Sequence, residues 1–288
     1  MTSAASLSGV KYFMERYKLY PKKRLGQNFL VDRNILCKIA DSCDLDPSRD
    51  LVIEIGPGMG ALTEQLSLRG LGVFAIDIDS SLEPLLQEAL DRYDNIKLLF
   101  ADILKINLEQ EFKNAFNLNE ILPYKVCANI PYNITTPIIF NLLETCPHMQ
   151  SATIMMQKEV ASRLLAAPGG KDYGVLTLMA AYYSKIEHIM NVSRNCFYPR
   201  PDVDSTVVRI TPLGHKRVEV INESVFKNLI RSSFQKRRKT ILNIFSDFFG
   251  ISKEQINNEL QHLGISCQKR PENLTIEEFA CIANVFTS

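Results

Sequence analysis

Four consecutive residues, Asn129-Ile130-Pro131-Tyr132, have the types and the spacing for one particular chemistry. An amine on an adenine ring is a poor nucleophile because its lone pair is delocalised. The Asn129 side-chain oxygen and a backbone carbonyl beside Pro131 could accept both amine hydrogens and direct the lone pair towards a sulfonium methyl group. Pro131 would fix the turn, and the Tyr132 ring could stack on the base. Such a site acts by positioning and needs no general base, although an Asn-x-Pro turn can also be purely structural.

A glycine-rich segment, Gly56-Pro57-Gly58-Met59-Gly60, follows an apolar run and precedes a helical pattern. Glycines let the backbone turn sharply and approach a ligand, and the amides of a helix N-terminus attract polar or anionic groups. Gly56, Gly58 and Ala61 also fit the dinucleotide pattern G-x-G-x-x-[GA]. By itself, the segment does not distinguish a methyltransferase from an NAD enzyme.

One acidic residue lies at the end of the next predicted strand, and another follows the strand after that. Asp77 could accept from both hydroxyls of a ribose, and Asp102 could accept from the exocyclic amine of a cofactor's adenine or merely cap its loop. Asp79 is explained at least as well as a helix N-cap as by a ligand contact. Ligands of open α/β sheets bind at the carboxyl ends of strands, so these residues predict a site for a nucleoside cofactor.

The elements that must position these residues alternate between strands and helices. Predicted strands span residues 51–55, 72–78, 96–100, 124–128 and 152–156; predicted helices span 10–18, 32–42, 61–69 and 81–93. This alternation predicts an α/β fold, a Rossmann-like, doubly wound and mostly parallel sheet. Two further β-rich runs, at about 186–192 and 205–211, predict an antiparallel hairpin at the sheet edge.

From about residue 214 onward the pattern is only helical, with capping boxes at Ser252-x-x-Gln255 and Thr275-x-x-Glu278. We therefore expect a catalytic domain over 1–213, of which 1–24 form a basic extension, and a small helical RNA-binding domain over 214–288.

Composition narrows the class of protein. The chain has 288 residues, 46% hydrophobic and 23% charged, with no uncharged stretch long enough to cross a membrane. Its 7 cysteines never form C-x-x-C and its 4 histidines match no ligand spacing. We expect a cytoplasmic monomer that binds no metal and no membrane.

Basic residues are concentrated in two segments although the net charge is only +1. Residues 11–24 hold six basic residues and one acid, and residues 227–239 hold six basic residues and no acid. Each cluster could be a solvated helix face, but two on a nearly neutral chain favour binding to a polyanion. The predicted RNA contacts are Lys22, Lys23, Arg24, Arg231, Lys236, Arg237, Arg238 and Lys239.

Several motifs together resemble the ribosomal RNA adenine dimethyltransferase family, from about Lys22 to about Asn284. They are Leu25-Gly26-Gln27-Asn28-Phe29-Leu30, the glycine-rich segment, Asn129 to Asn133, Gln157-Lys158-Glu159-Val160, Phe197 to Ser205 and Phe234 to Thr240. The resemblance implies dimethylation of two adjacent adenines near the 3′ end of small-subunit rRNA, with S-adenosylmethionine as the methyl donor, during ribosome biogenesis.

The resemblance also implies roles for individual residues. The expected cofactor-site residues are Asn28, Leu30, Gly56, Gly58, Asp77, Ile78, Asp102, Ile103 and Asn129. Asn129, Ile130, Tyr132 and Phe197 are the expected catalytic residues, with Phe197 stacking on a flipped adenine. The family usually has Glu where this chain has Asp77, so the ribose could be held less closely.

Other functions remain open from the sequence. An erythromycin-resistance methyltransferase acting on large-subunit rRNA shares the fold, although Phe197 to Ser205 and Arg237 to Thr240 are closer to the small-subunit enzymes. A non-catalytic ribosome-assembly factor would not need an intact Asn129. An NAD dehydrogenase explains neither Asn129 to Tyr132 nor the basic clusters.

Overall fold

Residues 4–22, 25–130 and 134–287 are described by a computed structural model. The strands are β1 (Phe29–Leu30), β2 (Leu51–Ile55), β3 (Gly72–Asp77), β4 (Ile96–Phe100), β5 (Tyr124–Asn129), β6 (Met149–Gln157), β7 (Ser184–Val192), β8 (Phe197–Tyr198) and β9 (Ser205–Pro212). The helices are α1 (Leu7–Tyr17), α2 (Arg33–Ser42), α3 (Ala61–Ser67), α4 (Glu83–Leu90), α5 (Leu108–Ala115), α6 (Thr135–Thr145), α7 (Lys158–Leu164), α8 (Val175–Tyr183), α9 (Glu223–Gln235), α10 (Ile241–Phe249), α11 (Lys253–His262) and α12 (Ile276–Val285).

Seven strands form one sheet in the order β4-β3-β2-β5-β6-β9-β7. The pairs from β4 to β6 are parallel, and β9 runs antiparallel to β6. Every residue of β2 is buried, as expected for a parallel strand that is covered on both faces. The predicted fold class is confirmed, with β7 at the sheet edge beside β9.

A second sheet, absent from the predicted elements, joins two short strands. β1 pairs antiparallel with β8, with Phe29 opposite Tyr198 and Leu30 opposite Phe197. The amide of Val31 extends this pairing by donating to the carbonyl of Cys196 at 2.8 Å. The pairing attaches the segment before α2 to the segment between β7 and β9.

The chain divides into two compact units. The first comprises Met1–Ala161 and Glu187–Pro212, and the second comprises Ser162–Ile186 and Leu213–Ser288. The predicted boundary at residue 213 lies at one edge of this division, but residues 162–186, expected in the catalytic domain, group with the helical residues. Aromatic and polar contacts explain the difference: Tyr182 packs on Phe226 with ring centroids 5.1 Å apart, and the Tyr173 hydroxyl donates to the Leu274 carbonyl.

Capping explains where two helices of the second unit begin. Ser252 with Gln255 starts α11, and Thr275 with Glu278 starts α12, each as the predicted capping box. None of the described helices is both long and apolar enough to span a membrane.

Candidate active site

The carboxyl ends of β2, β3, β4 and β5 meet at one edge of the sheet. The parallel register sets Ile55 beside Ile76 and Ala128, and Asp77 beside Phe100. A pocket with about 1140 Å³ of empty space, including open solvent, lies at this edge in the first unit. All nine predicted cofactor-site residues line it: Asn28, Leu30, Gly56, Gly58, Asp77, Ile78, Asp102, Ile103 and Asn129.

The glycine-rich segment forms one wall of this pocket. Gly56 and Gly58 have φ angles of +77° and +55°, in the left-handed region that favours glycine. A Cβ atom on Gly56 would lie 3.3 Å from the carbonyl oxygen of Asn129, and one on Gly58 would lie 3.2 Å from the Phe29 ring. The backbone is therefore close both to the predicted amine site and to β1.

Asp77 is buried at the end of β3 and supports this wall. Its Oδ2 accepts from the Gly58 amide at 3.2 Å, and its Oδ1 accepts from the Asp79 amide at 2.8 Å. Burial raises the pKa of Asp77 to about 6, against the lowering effect of these amides. Each oxygen retains a lone pair, so Asp77 can shape the loop and still accept from a ribose hydroxyl.

Asp102 caps its loop and also lies in the pocket. Its Oδ1 accepts from the Leu104 amide at 3.1 Å, which caps the loop after β4. Its Oδ2 lies 3.3 Å from Nζ of the exposed Lys105. Because Asp102 also lines the pocket, loop capping does not prevent a ligand contact.

The predicted catalytic residues converge on the same pocket. Asn129, the last residue of β5, lines it together with the buried Ile130. Phe197 lines it from β8, where pairing with Leu30 fixes its position. Tyr132 lies outside the described residues.

Glu54 is a pocket residue that sequence reasoning missed. It is only 1% exposed, and among the described residues neither carboxylate oxygen has a hydrogen-bond partner. Burial raises its pKa to about 8. A buried carboxyl group in a pocket lined mostly by apolar side chains is suited to a cationic ligand group, which would stabilise its ionised form. The available signal was one acid within the otherwise apolar run Leu51-Val52-Ile53-Glu54-Ile55.

Gln27 is a second pocket residue that was not predicted. Its side chain donates to Oδ2 of Asp79 at 2.8 Å and accepts from the backbone amide of Lys22 at 2.9 Å. Lys22, predicted to contact RNA, forms an ion pair with Asp79. Lys23 and Arg24 lie outside the described residues.

The other predicted RNA contacts lie in the second unit at and after the end of α9. Arg231 and Arg238 are exposed, and neither side chain has a hydrogen bond or ion pair among the described residues. Lys236 lies 3.0 Å from a carboxylate oxygen of Asp247, and Lys239 lies 3.9 Å from the same oxygen. Arg237 donates to the carbonyls of Lys171 and Tyr173. Arg231 and Arg238 are therefore the better placed for phosphate.

The described residues contain no group of three or more His, Cys, Asp or Glu side chains that could hold a metal ion. What the pocket offers is a glycine wall, two buried carboxyl groups near the strand ends, an asparagine and an aromatic ring.

Comparison with known proteins identifies similar chains over most of this length. Residues 19–288 match the family described as ribosomal RNA adenine dimethylase. The ribosomal RNA small subunit methyltransferase A of Bacillus cytotoxicus is 43% identical over 287 residues, 99% of this chain and 97% of that protein. That of Geobacillus kaustophilus is 46% identical over 277 residues, 95% of this chain and 94% of that protein.

Two solved structures share the fold. A dimethyladenosine transferase from Plasmodium falciparum aligns with a TM-score of 0.74 and 29% identity, over 88% of this chain and 95% of that one. The 23S rRNA methyltransferase ErmE aligns with a TM-score of 0.68 and 26% identity, over 90% of this chain and 99% of that one.

Proposed function

The chain belongs to the ribosomal RNA adenine dimethylase family, and on that premise we propose that it transfers methyl groups from S-adenosylmethionine to the 6-amino groups of adenines in small-subunit rRNA. The observation that carries the proposal is the position of Asn129, which lies in one pocket with the glycine wall, Asp77 and Phe197. The small-subunit substrate is supported by relatives of that name at 43% and 46% identity, against 26% for ErmE.

The residues of the pocket fit the proposed donor. Glu54, a buried carboxyl group without a partner among the described residues, suits the donor's ammonium group. Asp77 would accept from the ribose, and Asp102 from the adenine amine of the donor. When bound, the donor supplies an electrophilic sulfonium methyl group.

Asn129 and Ile130 would orient the target amine. The Asn129 side-chain oxygen and the Ile130 carbonyl would accept its two hydrogens, so that the nitrogen lone pair is free to attack the methyl group. Transfer would break the bond between the methyl group and the donor's sulfur, leaving a neutral thioether, and the positively charged amine nitrogen would lose a proton to solvent, so no buried base is needed. Positioning and electrostatics account for the catalysis.

Phe197 would stack on the target base after it leaves its RNA helix. A base within a helix cannot reach a recessed pocket, so the enzyme must hold it in an extruded state. Arg231 and Arg238 would contact phosphates from the second unit. We assign RNA binding to the helical residues 214–288 and place the protein in the cytoplasm.

The decisive experiment supplies labelled S-adenosylmethionine with either small or large ribosomal subunits that lack these methyl groups. Nucleoside mass analysis should find N6,N6-dimethyladenosine only in small-subunit rRNA, and the Asn129→Ala variant should produce none. Label only in large-subunit rRNA would support an erythromycin-resistance type of activity. RNA binding without label in either subunit would support a non-catalytic assembly factor.

A further inference from the structure

We propose that Asp79 is a positioning residue that holds Gln27, and with it the pocket-lining residues Leu25–Leu30, in place for donor binding. The cluster that Asp79 forms with Lys22, Ser81 and Gln27 is called the anchor. Lys22 belongs to this anchor rather than to the RNA contacts. The inference rests on the proposed function for the identity of the donor. Asp79 and Lys22 do not themselves line the pocket, whereas residues 25–30 all do.

The anchor is a buried carboxylate with several donors. Asp79 is 5% exposed. Its Oδ1 lies 2.5 Å from Lys22 Nζ and 2.6 Å from the Ser81 hydroxyl, and its Oδ2 accepts from Gln27 Nε2 at 2.8 Å. Lys22 Nζ also donates to the Ser81 hydroxyl at 2.7 Å. Helix capping requires only the hydrogen bond that the Ser81 amide donates to Asp79 at 3.2 Å, so it does not explain the contacts with Lys22 and Gln27.

Gln27 connects the anchor to the pocket. While its Nε2 donates to Asp79, its Oε1 accepts from the backbone amide of Lys22 at 2.9 Å. The amide of Leu25 donates to the carbonyl of Lys22. Lys22 and Gln27 are thus joined to each other, and both are joined to Asp79.

The charges within this cluster leave Lys22 little capacity for a phosphate. Burial by itself would raise the pKa of Asp79, but hydrogen bonds from Lys22, Ser81 and Gln27 lower it below its usual value. Asp79 is therefore ionised at neutral pH, and its buried charge requires a cation. Moving Lys22 onto a phosphate would leave that charge uncompensated, which is unfavourable.

The functional consequence is selective. Loosening the anchor would free the residues nearest to Gln27 and weaken donor binding. Leu30 would stay paired with Phe197 through the β1–β8 sheet, so the proposed contacts of Asn129 and Phe197 with the target base would be retained. At saturating donor, turnover should therefore be nearly normal.

The test compares Lys22→Met with Arg238→Met and with Lys38→Met. Lys38 is an exposed lysine of α2 whose side chain has no hydrogen bond or ion pair among the described residues. Calorimetry measures donor affinity, filter binding measures affinity for naked small-subunit rRNA, and hydrogen exchange measures protection of residues 25–30. Lys22→Met should weaken donor binding by about tenfold. Its kcat at saturating donor and its RNA affinity should stay within about twofold of the unsubstituted protein.

Matched variants make the result specific. Asp79→Asn should have the same effects as Lys22→Met, the double variant should be no worse than the more damaging single one, and Lys22→Arg should restore donor affinity. Arg238→Met should weaken RNA binding alone, and Lys38→Met should change nothing.

Weaker RNA binding by Lys22→Met with unchanged donor affinity would overturn the anchor, as would unchanged protection of residues 25–30 in both Lys22→Met and Asp79→Asn. If the unsubstituted protein binds no S-adenosylmethionine, the proposed function fails. Hydrogen exchange would then still decide whether Asp79 anchors this segment.

Discussion

The carbonyl oxygen of Asn129 lies 3.3 Å from the position that a Cβ atom would occupy on Gly56. The first glycine of the donor wall and the residue proposed to hold the target amine are therefore packed against each other. The reaction requires donor and acceptor atoms to approach within van der Waals distance, and this contact sets the spacing of the two walls that hold them.

Gly56→Ala tests this contact. An alanine at φ +77° would be strained and would press on the Asn129 carbonyl, so we expect donor affinity and kcat to fall together. Gly250→Ala is the control, because Gly250 has a similar φ of +71° but nothing within 4 Å of an added Cβ atom. Both variants should lose about 1 kcal/mol of stability from backbone strain. Only Gly56→Ala should lose activity, and normal kinetics in that variant would contradict the role of the contact.

Asn129→Ala should reduce methyl transfer by at least about 10²-fold, the loss typical of one preorganised transition-state hydrogen bond. Donor binding should remain measurable by calorimetry, since the glycine wall and both strand-end acids are retained. Asn129→Asp keeps an acceptor oxygen and should retain more activity than Asn129→Ala. Unchanged turnover in Asn129→Ala would remove the amine-positioning role.

Phe197→Ala should weaken catalysis more than RNA binding if the ring stacks on the target base. Because Phe197 is buried and paired with Leu30, this variant will also lose about 3 kcal/mol of stability. Phe197→Leu separates the two effects, since it keeps apolar volume but has no planar ring. A reduced kcat with a nearly normal melting temperature in Phe197→Leu would identify stacking, whereas equal losses of catalysis and RNA affinity would argue against it.

Local patterns were sufficient to predict the main sheet. Leu51–Ile55 and Ile96–Phe100 are strands with the predicted bounds, since short apolar runs bounded by turn residues leave little alternative. The β1–β8 pairing was not predicted, because two-residue strands far apart in the sequence carry no periodic signal. Residues 162–186 group with the second unit through contacts such as Tyr182 with Phe226, which no local pattern indicates.

The candidate site, like the fold, divides into residues that local sequence patterns predict and residues whose roles depend on tertiary contacts. Asp77, Asp102 and Asn129 were predictable because each lies at or just after the end of a strand, where a polar residue has no structural need to be. Glu54 was missed because its neighbours mark it as core. Asp79 was interpreted as a helix cap, and it does accept from the Ser81 amide, but its contacts with Lys22 and Gln27 depend on tertiary structure.

Glu54→Gln gives a prediction about pH. Burial raises the pKa of Glu54 to about 8 in the folded protein, so the folded state binds a proton more tightly than the unfolded state. The stability that this proton provides is complete below the usual carboxyl range and is lost as the pH rises through about 8. The free energy of unfolding should therefore fall between pH 5 and pH 8 in the unsubstituted protein and fall less in Glu54→Gln. A difference of one pKa unit corresponds to about 1.4 kcal/mol, so the free energies of unfolding of the two proteins should differ by several kcal/mol at pH 8.

Neighbouring groups do not change the sign of this difference. Asp77 has a pKa raised to about 6 by burial and titrates in both proteins. A hydrogen bond with Cys43, together with burial, raises the pKa of the nearby Cys127 thiol well above its usual value, so this thiol stays protonated across the range. Urea unfolding at pH 5, 6, 7 and 8 measures the free energies, and calorimetry on the same samples measures donor affinity. Glu54→Gln should be the more stable protein at pH 8 and yet bind S-adenosylmethionine more weakly, because the donor's ammonium charge would stabilise the ionised form of Glu54, which an amide cannot adopt. A pH-independent difference in stability would show that Glu54 does not titrate in this range, and unchanged donor affinity would remove it from the ammonium site.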